Sequence, residues 1–139
     1  MPISFHSLIP SFSLSQKNKV REWLWTTAYL EKKEIDRIDY IFCDDKYLLS
    51  LNKKFLSHNT LTDIITFDNS AGIIISGEIY ISVQRVKENA KKYSPSFNDE
   101  LLRVMVHGVL HLCGYKDKSK KDKLLMRHKE DYYTGLWEQ

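Results

Sequence analysis

The stretch from Leu101 to Gly114, LLRVMVHGVLHLCG, constrains the fold more than any other part of the chain. Leu101, Leu102, Met105, Val106, Val109, Leu110 and Cys113 spread over most of a helix's circumference. A helix that is apolar nearly all round has no face to give to water, so it belongs in the centre of a domain. A chain of 139 residues suits one such core, and the expectation is a single domain over residues 1–139. Gly114 is placed to end the helix, because glycine enters the left-handed conformation of a helix stop without strain. At the other end, Ser96 with Asp99 three residues later has the form of a capping box. Ser94-Pro95 in front of it stops a preceding helix over Val83 to Tyr93.

The remaining elements are shorter. Residues 3–6 read as an edge strand. Ser13 or Ser15 then caps a helix running to about Lys33, with Val20, Trp23, Leu24, Thr27 and Leu30 along one stripe. Ile38, Tyr40 and Phe42 alternate as in a strand, and Asp44 caps a helix containing Leu48, Leu49, Leu51, Asn52 and Phe55. Two β-rich runs follow, Thr62 to Phe67 and Ile73 to Ile75, joined by a turn at Asn69-Ser70-Ala71-Gly72. Gly77 interrupts as a bulge or second turn before Glu78 to Ser82. A last helix spans about Lys121 to Gly135. The sum is an α+β domain: a small mixed β-sheet covered by helices.

Composition narrows the class without deciding it. Hydrophobic residues make up 42% and charged residues 28%, as in an ordinary folded soluble protein rather than a disordered one. No run approaches the roughly 18 apolar residues of a membrane span, and the N-terminus lacks a basic region followed by an apolar stretch. Cys43 and Cys113 fit neither a CxxC motif nor a disulfide framework. These features predict a cytoplasmic protein with no membrane association. The net charge of +3 is too small by itself to imply nucleic acid.

The chemistry lies in the central helix. His107 and His111 stand at i and i+4, so both imidazoles project from one face, one turn apart. That spacing lets two nitrogens approach one ion at about 2.0–2.1 Å, as zinc requires. A straight helix cannot supply a third ligand from another direction. Gly114 reverses the chain, and three residues later Asp117 swings a carboxylate back. Three protein ligands leave a fourth position for water, which a zinc ion acidifies towards a pKa of ~7; this metal-bound water, with no protein general base assigned, is the expected catalyst. A His pair at this spacing is also compatible with a hydrogen-bonded core pair, but two histidines on so apolar a helix each need a polar partner. The helix is zincin-like in its offsets, yet Gly108 stands where HExxH zinc peptidases carry their glutamate base, which argues against peptide hydrolysis.

His107-Gly108-Val109-Leu110-His111-Leu112-Cys113-Gly114-Tyr115-Lys116-Asp117 resembles the H-G-x-L-H-L-x-G-Y-D-H signature of the YbeY family, metal-dependent endoribonucleases of bacterial ribosomal RNA maturation and ribosome quality control. Leu51-Asn52, the Thr62-Asp63-Ile64-Ile65-Thr66-Phe67 segment and Gly77-Glu78-Ile79 are similar to further family motifs in the same order. The resemblance covers about residues 40–133. It implies one zinc per chain held by His107, His111 and Asp117, the last standing in for a family histidine. It also implies cleavage of single-stranded RNA, including processing at the 3′ end of 16S ribosomal RNA, on the ribosome or its small subunit. Two further departures stand out: Leu56 occupies the position of a family arginine assigned a role in activity, and Leu61 replaces a proline.

Lys116, Lys118 and the rest of the run to Lys123 surround Asp117 with cations able to attract RNA phosphates, or simply form a solvated loop and helix start. Lys53, Lys54 and His58 are further candidate RNA contacts, near the missing arginine. Asp122 and His128 are rival third ligands. Trp23, Trp25 and Trp137 read as packing residues, His6 as an ordinary strand residue, and Cys113, about 200° round the helix from His111, as a small buried hydrophobe. The main alternatives are a non-catalytic ribosome-assembly factor with a structural zinc, and a metal hydrolase with another substrate.

Overall fold

The computed structural model describes residues 2–58, 60–93 and 96–138, so the expected helix stop at Ser94-Pro95 lies outside the described residues. In chain order the elements are β1 (Ile3–Ser7), α1 (Lys17–Leu30), β2 (Glu34–Cys43), α2 (Asp45–Leu56), β3 (Ile64–Asp68), β4 (Ile74–Ser82), α3 (Val83–Tyr93), α4 (Phe97–Leu112) and α5 (Lys120–Trp137). The strands form one sheet in the order β1-β2-β4-β3. β1, β2 and β4 run parallel, and β3 pairs antiparallel with β4 as a hairpin. The sheet is mixed and helix-covered, as the residue pattern predicts.

The alternation of β2 sends Ile38, Tyr40 and Phe42 into the main core, where they meet Ile75, Ile79 and Ile81 of β4 and the apolar faces of α1 and α4. Tyr40 is fully buried, and its hydroxyl donates to the Met105 carbonyl of α4 at 2.7 Å. That bond satisfies a buried polar group and fixes α4 on the sheet two residues before His107. The opposite face carries a smaller cluster of Cys43, Leu48 and Ile65, flanked by Leu51, Phe67 and Tyr80, so α2 covers that side. Trp23 ties α1 to α5 through its indole N–H, which donates to the Tyr133 carbonyl at 2.7 Å. Trp137 packs edge-on against Trp23. Trp25, in contrast, is exposed and is no packing residue.

Three boundaries differ from the expectation. α1 is entered at Gln16, in the left-handed region at φ 55° with no side-chain cap, instead of at Ser13 or Ser15. The segment before it is drawn onto the core, with Phe12 against Phe42 and Phe97, and reaches the helix only later. α1 also stops at Leu30, which is exposed, because Lys32 turns left-handed at φ 61°. The amides of Lys32 and Lys33 then reach back to the carbonyls of Tyr29 and Ala28, a Schellman closure without glycine. Finally, β4 runs straight through Gly77, and the irregularity in pairing sits between Ile35 and Arg37 of β2. Gly77 is there for closeness: a Cβ at this position would lie 2.4 Å from the Phe67 carbonyl oxygen and 3.0 Å from Leu112.

Candidate active-site cleft

α4 is closed by the turn the sequence predicts. Cys113 is its C-cap, Gly114 follows at φ 110°, and the amides of Gly114 and Tyr115 bond back to the carbonyls of His111 and Leu110 at 3.0 and 3.1 Å. This Schellman motif sends residues 115–118 back along α4 and brings the Asp117 carboxylate to 3.8 Å from His107 Nε2. Ser119 then caps α5, its hydroxyl accepting from the Asp122 amide while the Asp122 carboxylate accepts from the Ser119 amide. Asp122 is therefore committed to a capping box, and neither it nor His128 lines the cleft beside His107.

On α4, Arg103, His107 and His111 form a partly buried stripe on a helix whose other residues beyond its first turn are buried. His107 Nδ1 lies 2.6 Å from Glu130 Oε2, and Glu130 is 6% exposed. Arg103 donates to the other Glu130 oxygen at 3.0 Å and to Asp131 at 2.6 Å. Burial pushes the His107 imidazole towards the neutral form, but the hydrogen bond and charge of Glu130, with Asp117 and Asp63 behind it, outweigh that and hold its pKa above the usual value. Asp63, just ahead of β3, is pushed up by burial, partly countered by His107; its carboxylate accepts from Asn89 at 3.5 Å. Asp63, Arg103, His107, Asp117 and Glu130 line an open cleft of about 480 Å³, with Arg103, Lys123 and Arg127 as its basic groups; His111 is not among the lining residues.

The structure thus brings His107 and Asp117 together, with His111 one turn further on the same helix face. Among the described residues no group of three or more His, Cys, Asp or Glu is already gathered as a cation site. Lys116 and Lys118 are exposed beside Asp117. Lys53, Lys54 and His58 are exposed at the end of α2, on the sheet face away from α4, as is Leu56. Cys113 is half-buried against the core, and burial pushes its thiol up to about 12. Gly108 packs on the sheet: a Cβ there would meet Ile79 at 2.8 Å and Ile64 at 3.3 Å. A side chain at this position would be driven into the core instead of the cleft, so the packing leaves no room here for a peptidase base.

Sequence reasoning passed over Glu130, Arg103, Arg127 and the cleft position of Asp63. Two of them leave a signal. Met126, Glu130 and Tyr133 follow helical spacing along the buried stripe of α5, and a carboxylate in such a stripe requires a cationic partner. Arg103 stands one turn before His107, so the two share a face.

The chain matches the family model described as endoribonuclease YbeY over residues 10–137. A protein named endoribonuclease YbeY from Flavobacterium psychrophilum is 52% identical over 135 residues, covering 97% of this chain and 96% of that protein. Its namesake from Porphyromonas gingivalis is 41% identical over 129 residues, covering 93% and 85%. A solution structure of a Thermotoga maritima protein shares the fold, with a TM-score of 0.65, 26% identity and coverage of 98% of this chain and 91% of that one. With the family model spanning most of its length and relatives matching it nearly end to end, the chain belongs to the YbeY family of endoribonucleases, hydrolases that cut RNA phosphodiester bonds.

Proposed function

We propose that this protein is a zinc-dependent, single-strand-specific endoribonuclease, with His107, His111 and Asp117 as the metal ligands. The observation that carries the reading is the setting of His107, held on one side by Glu130 and facing Asp117 on the other across the cleft. The donor set fits zinc: two imidazoles and a carboxylate, with one coordination position left open. Nε2 and Oδ2 at 3.8 Å are too far apart for a hydrogen bond and close to the ~3.3 Å that separates two ligands across a tetrahedral ion. When bound, zinc supplies Lewis acidity towards a phosphodiester and hydroxide near neutral pH.

The chain's own residues do the rest. Glu130 accepts the Nδ1 proton of His107, which fixes the tautomer and leaves Nε2 free as a donor of its lone pair. Arg103 bridges Glu130 and Asp131 and so holds Glu130 in place. Lys123 and Arg127 on the rim, with Lys116 and Lys118 beside Asp117, attract the phosphates of a single strand. Lys53, Lys54 and His58 serve a strand that continues round the edge of β3 to the other face. In this reading the protein works in the cytoplasm, on the 3′ end of 16S ribosomal RNA and on defective ribosomes.

Purified protein incubated with a single-stranded RNA, with zinc, with chelator and as His111→Ala tests the activity. Cleavage that chelator and substitution both abolish is expected. Cleavage indifferent to both contradicts the reading, and zinc binding without any cleavage turns the balance to an assembly factor with a structural ion. Cells lacking the protein are expected to accumulate 16S precursors extended at the 3′ end.

A further inference from the structure

Glu31, the C-cap of α1, carries a constellation the cleft chemistry does not use. Its side chain is 9% exposed and gathers hydrogen bonds from three residues of two other segments. The Tyr115 hydroxyl donates to Oε1 at 2.6 Å. On Oε2 it accepts from Lys129 at 3.1 Å and from the Tyr133 hydroxyl. Lys129 also lies over the Tyr115 ring, 5.4 Å from its centroid. Burial pushes the Glu31 carboxyl up, but the bonds from Tyr115, Tyr133 and Lys129 outweigh that and keep it below its usual pKa. A buried charge with three donors is tightly placed, and so are the donors.

What those donors flank gives the cluster its meaning. Tyr115 is two residues before Asp117. Lys129 is adjacent to Glu130, and Tyr133 follows it by three. One carboxylate therefore grips the return loop that carries Asp117 and the turn of α5 that carries Glu130, the two groups on either side of His107. We infer that Glu31 is a positioning residue, setting where Asp117 and Glu130 stand relative to His107 and so how tightly the site holds a divalent cation. This inference builds on the zinc reading above, which concerns the ligands themselves.

The test uses Glu31→Gln in the full chain, with Tyr115→Phe and Ile3→Val alongside. Glutamine keeps one carbonyl oxygen but turns an amide N–H₂ towards donors on the other side. Tyr115→Phe cuts only the loop link. Ile3→Val trims a buried residue of β1, remote from the site, and serves as a control for general loss of stability. Two readouts are taken well below the melting temperature: amide hydrogen exchange over residues 113–118 in metal-free protein, and zinc affinity by competition with a chelating dye. We expect faster exchange in the loop and about 10-fold weaker zinc binding, the lower end of what losing a ligand's own hydrogen-bond partner costs, since Glu31 reaches the ligands only through the loop and α5. Both changes appear in both site variants and in neither readout of Ile3→Val. Unchanged exchange and affinity in Glu31→Gln, or equal changes in Ile3→Val, overturn the inference. If the unmodified protein binds no zinc, the ligand reading fails, and exchange alone decides: a loop loosened only in the two site variants supports positioning, and an unchanged loop overturns it.

Discussion

Two helical glycines, 27 positions apart, separate the effect of helix propensity from that of packing. Alanine in place of a mid-helix glycine gains up to about 1 kcal/mol from backbone entropy alone. At Gly135, exposed in the last turn of α5, an added Cβ meets nothing within 4 Å, so Gly135→Ala keeps the gain, reduced to roughly half by its place near the helix end. At Gly108 the same atom arrives 2.8 Å from Ile79 Cδ1, 3.1 Å from its Cγ2 and 3.3 Å from Ile64 Cδ1. Those distances are well inside the ~3.5–4.0 Å optimum for carbon contacts. Ile79 is fully buried and β-branched, with little freedom to turn away. Overpacking of this kind costs about 1–3 kcal/mol, so it exceeds the helix gain and leaves Gly108→Ala destabilised by about 1 kcal/mol. A chain of this length converts 1 kcal/mol to about 3 °C of Tm. Thermal melts of metal-free protein are therefore expected to show Gly135→Ala up by about 1–2 °C and Gly108→Ala down by about 3 °C. A rise in both refutes the close approach of α4 to the sheet at Gly108.

Three further outcomes follow from the same geometry. His107 has a folded-state pKa above its unfolded value of ~6.5, so the stability it contributes is fully present below that pH and is lost as pH rises through the raised value. Denaturant melts of chelator-treated protein at pH 6 and pH 8.5 are expected to show a larger loss in the native chain than in Glu130→Gln; equal losses contradict the His107–Glu130 pair. Gly77→Ala places a methyl against a backbone oxygen that cannot yield, and is expected to lower Tm by about 10 °C, roughly 3 kcal/mol; an unaffected Tm contradicts the close β3–β4 pairing. Lys123→Ala is expected to weaken RNA binding and to flatten the plot of log affinity against log salt by about 0.7 per lost phosphate contact, with an unchanged slope counting against its place on the RNA path.

The parts of the fold that follow from side-chain pattern were legible in the residues. Ile38, Tyr40 and Phe42 alternate and point into the core; α4 is apolar round most of its circumference and sits at the centre; Gly114 stops it in the left-handed conformation that glycine favours. What was not legible is backbone behaviour without its usual residue. Gln16 and Lys32 take left-handed conformations that glycine or asparagine would have announced, so both ends of α1 were misplaced. Gly77 looked like a break because its purpose, admitting the Phe67 carbonyl, depends on a neighbouring strand. The cleft divides the same way. Spacing within one helix puts His107 and His111 on one face, and the glycine turn brings Asp117 back to 3.8 Å from His107; of the three, His107 and Asp117 line the cleft. Glu130 and Glu31 act across segments far apart in sequence, and only tertiary structure shows which donors each one meets.

Zinc titration of metal-stripped protein, compared with His111→Ala and Asp117→Ala, reaches the central claim most directly. The account predicts one ion per chain, bound more than about 100-fold less tightly when either ligand is removed, beyond the loss that an outer-sphere partner brings. Stoichiometric binding that survives both substitutions unchanged, or no binding by the native chain, contradicts it.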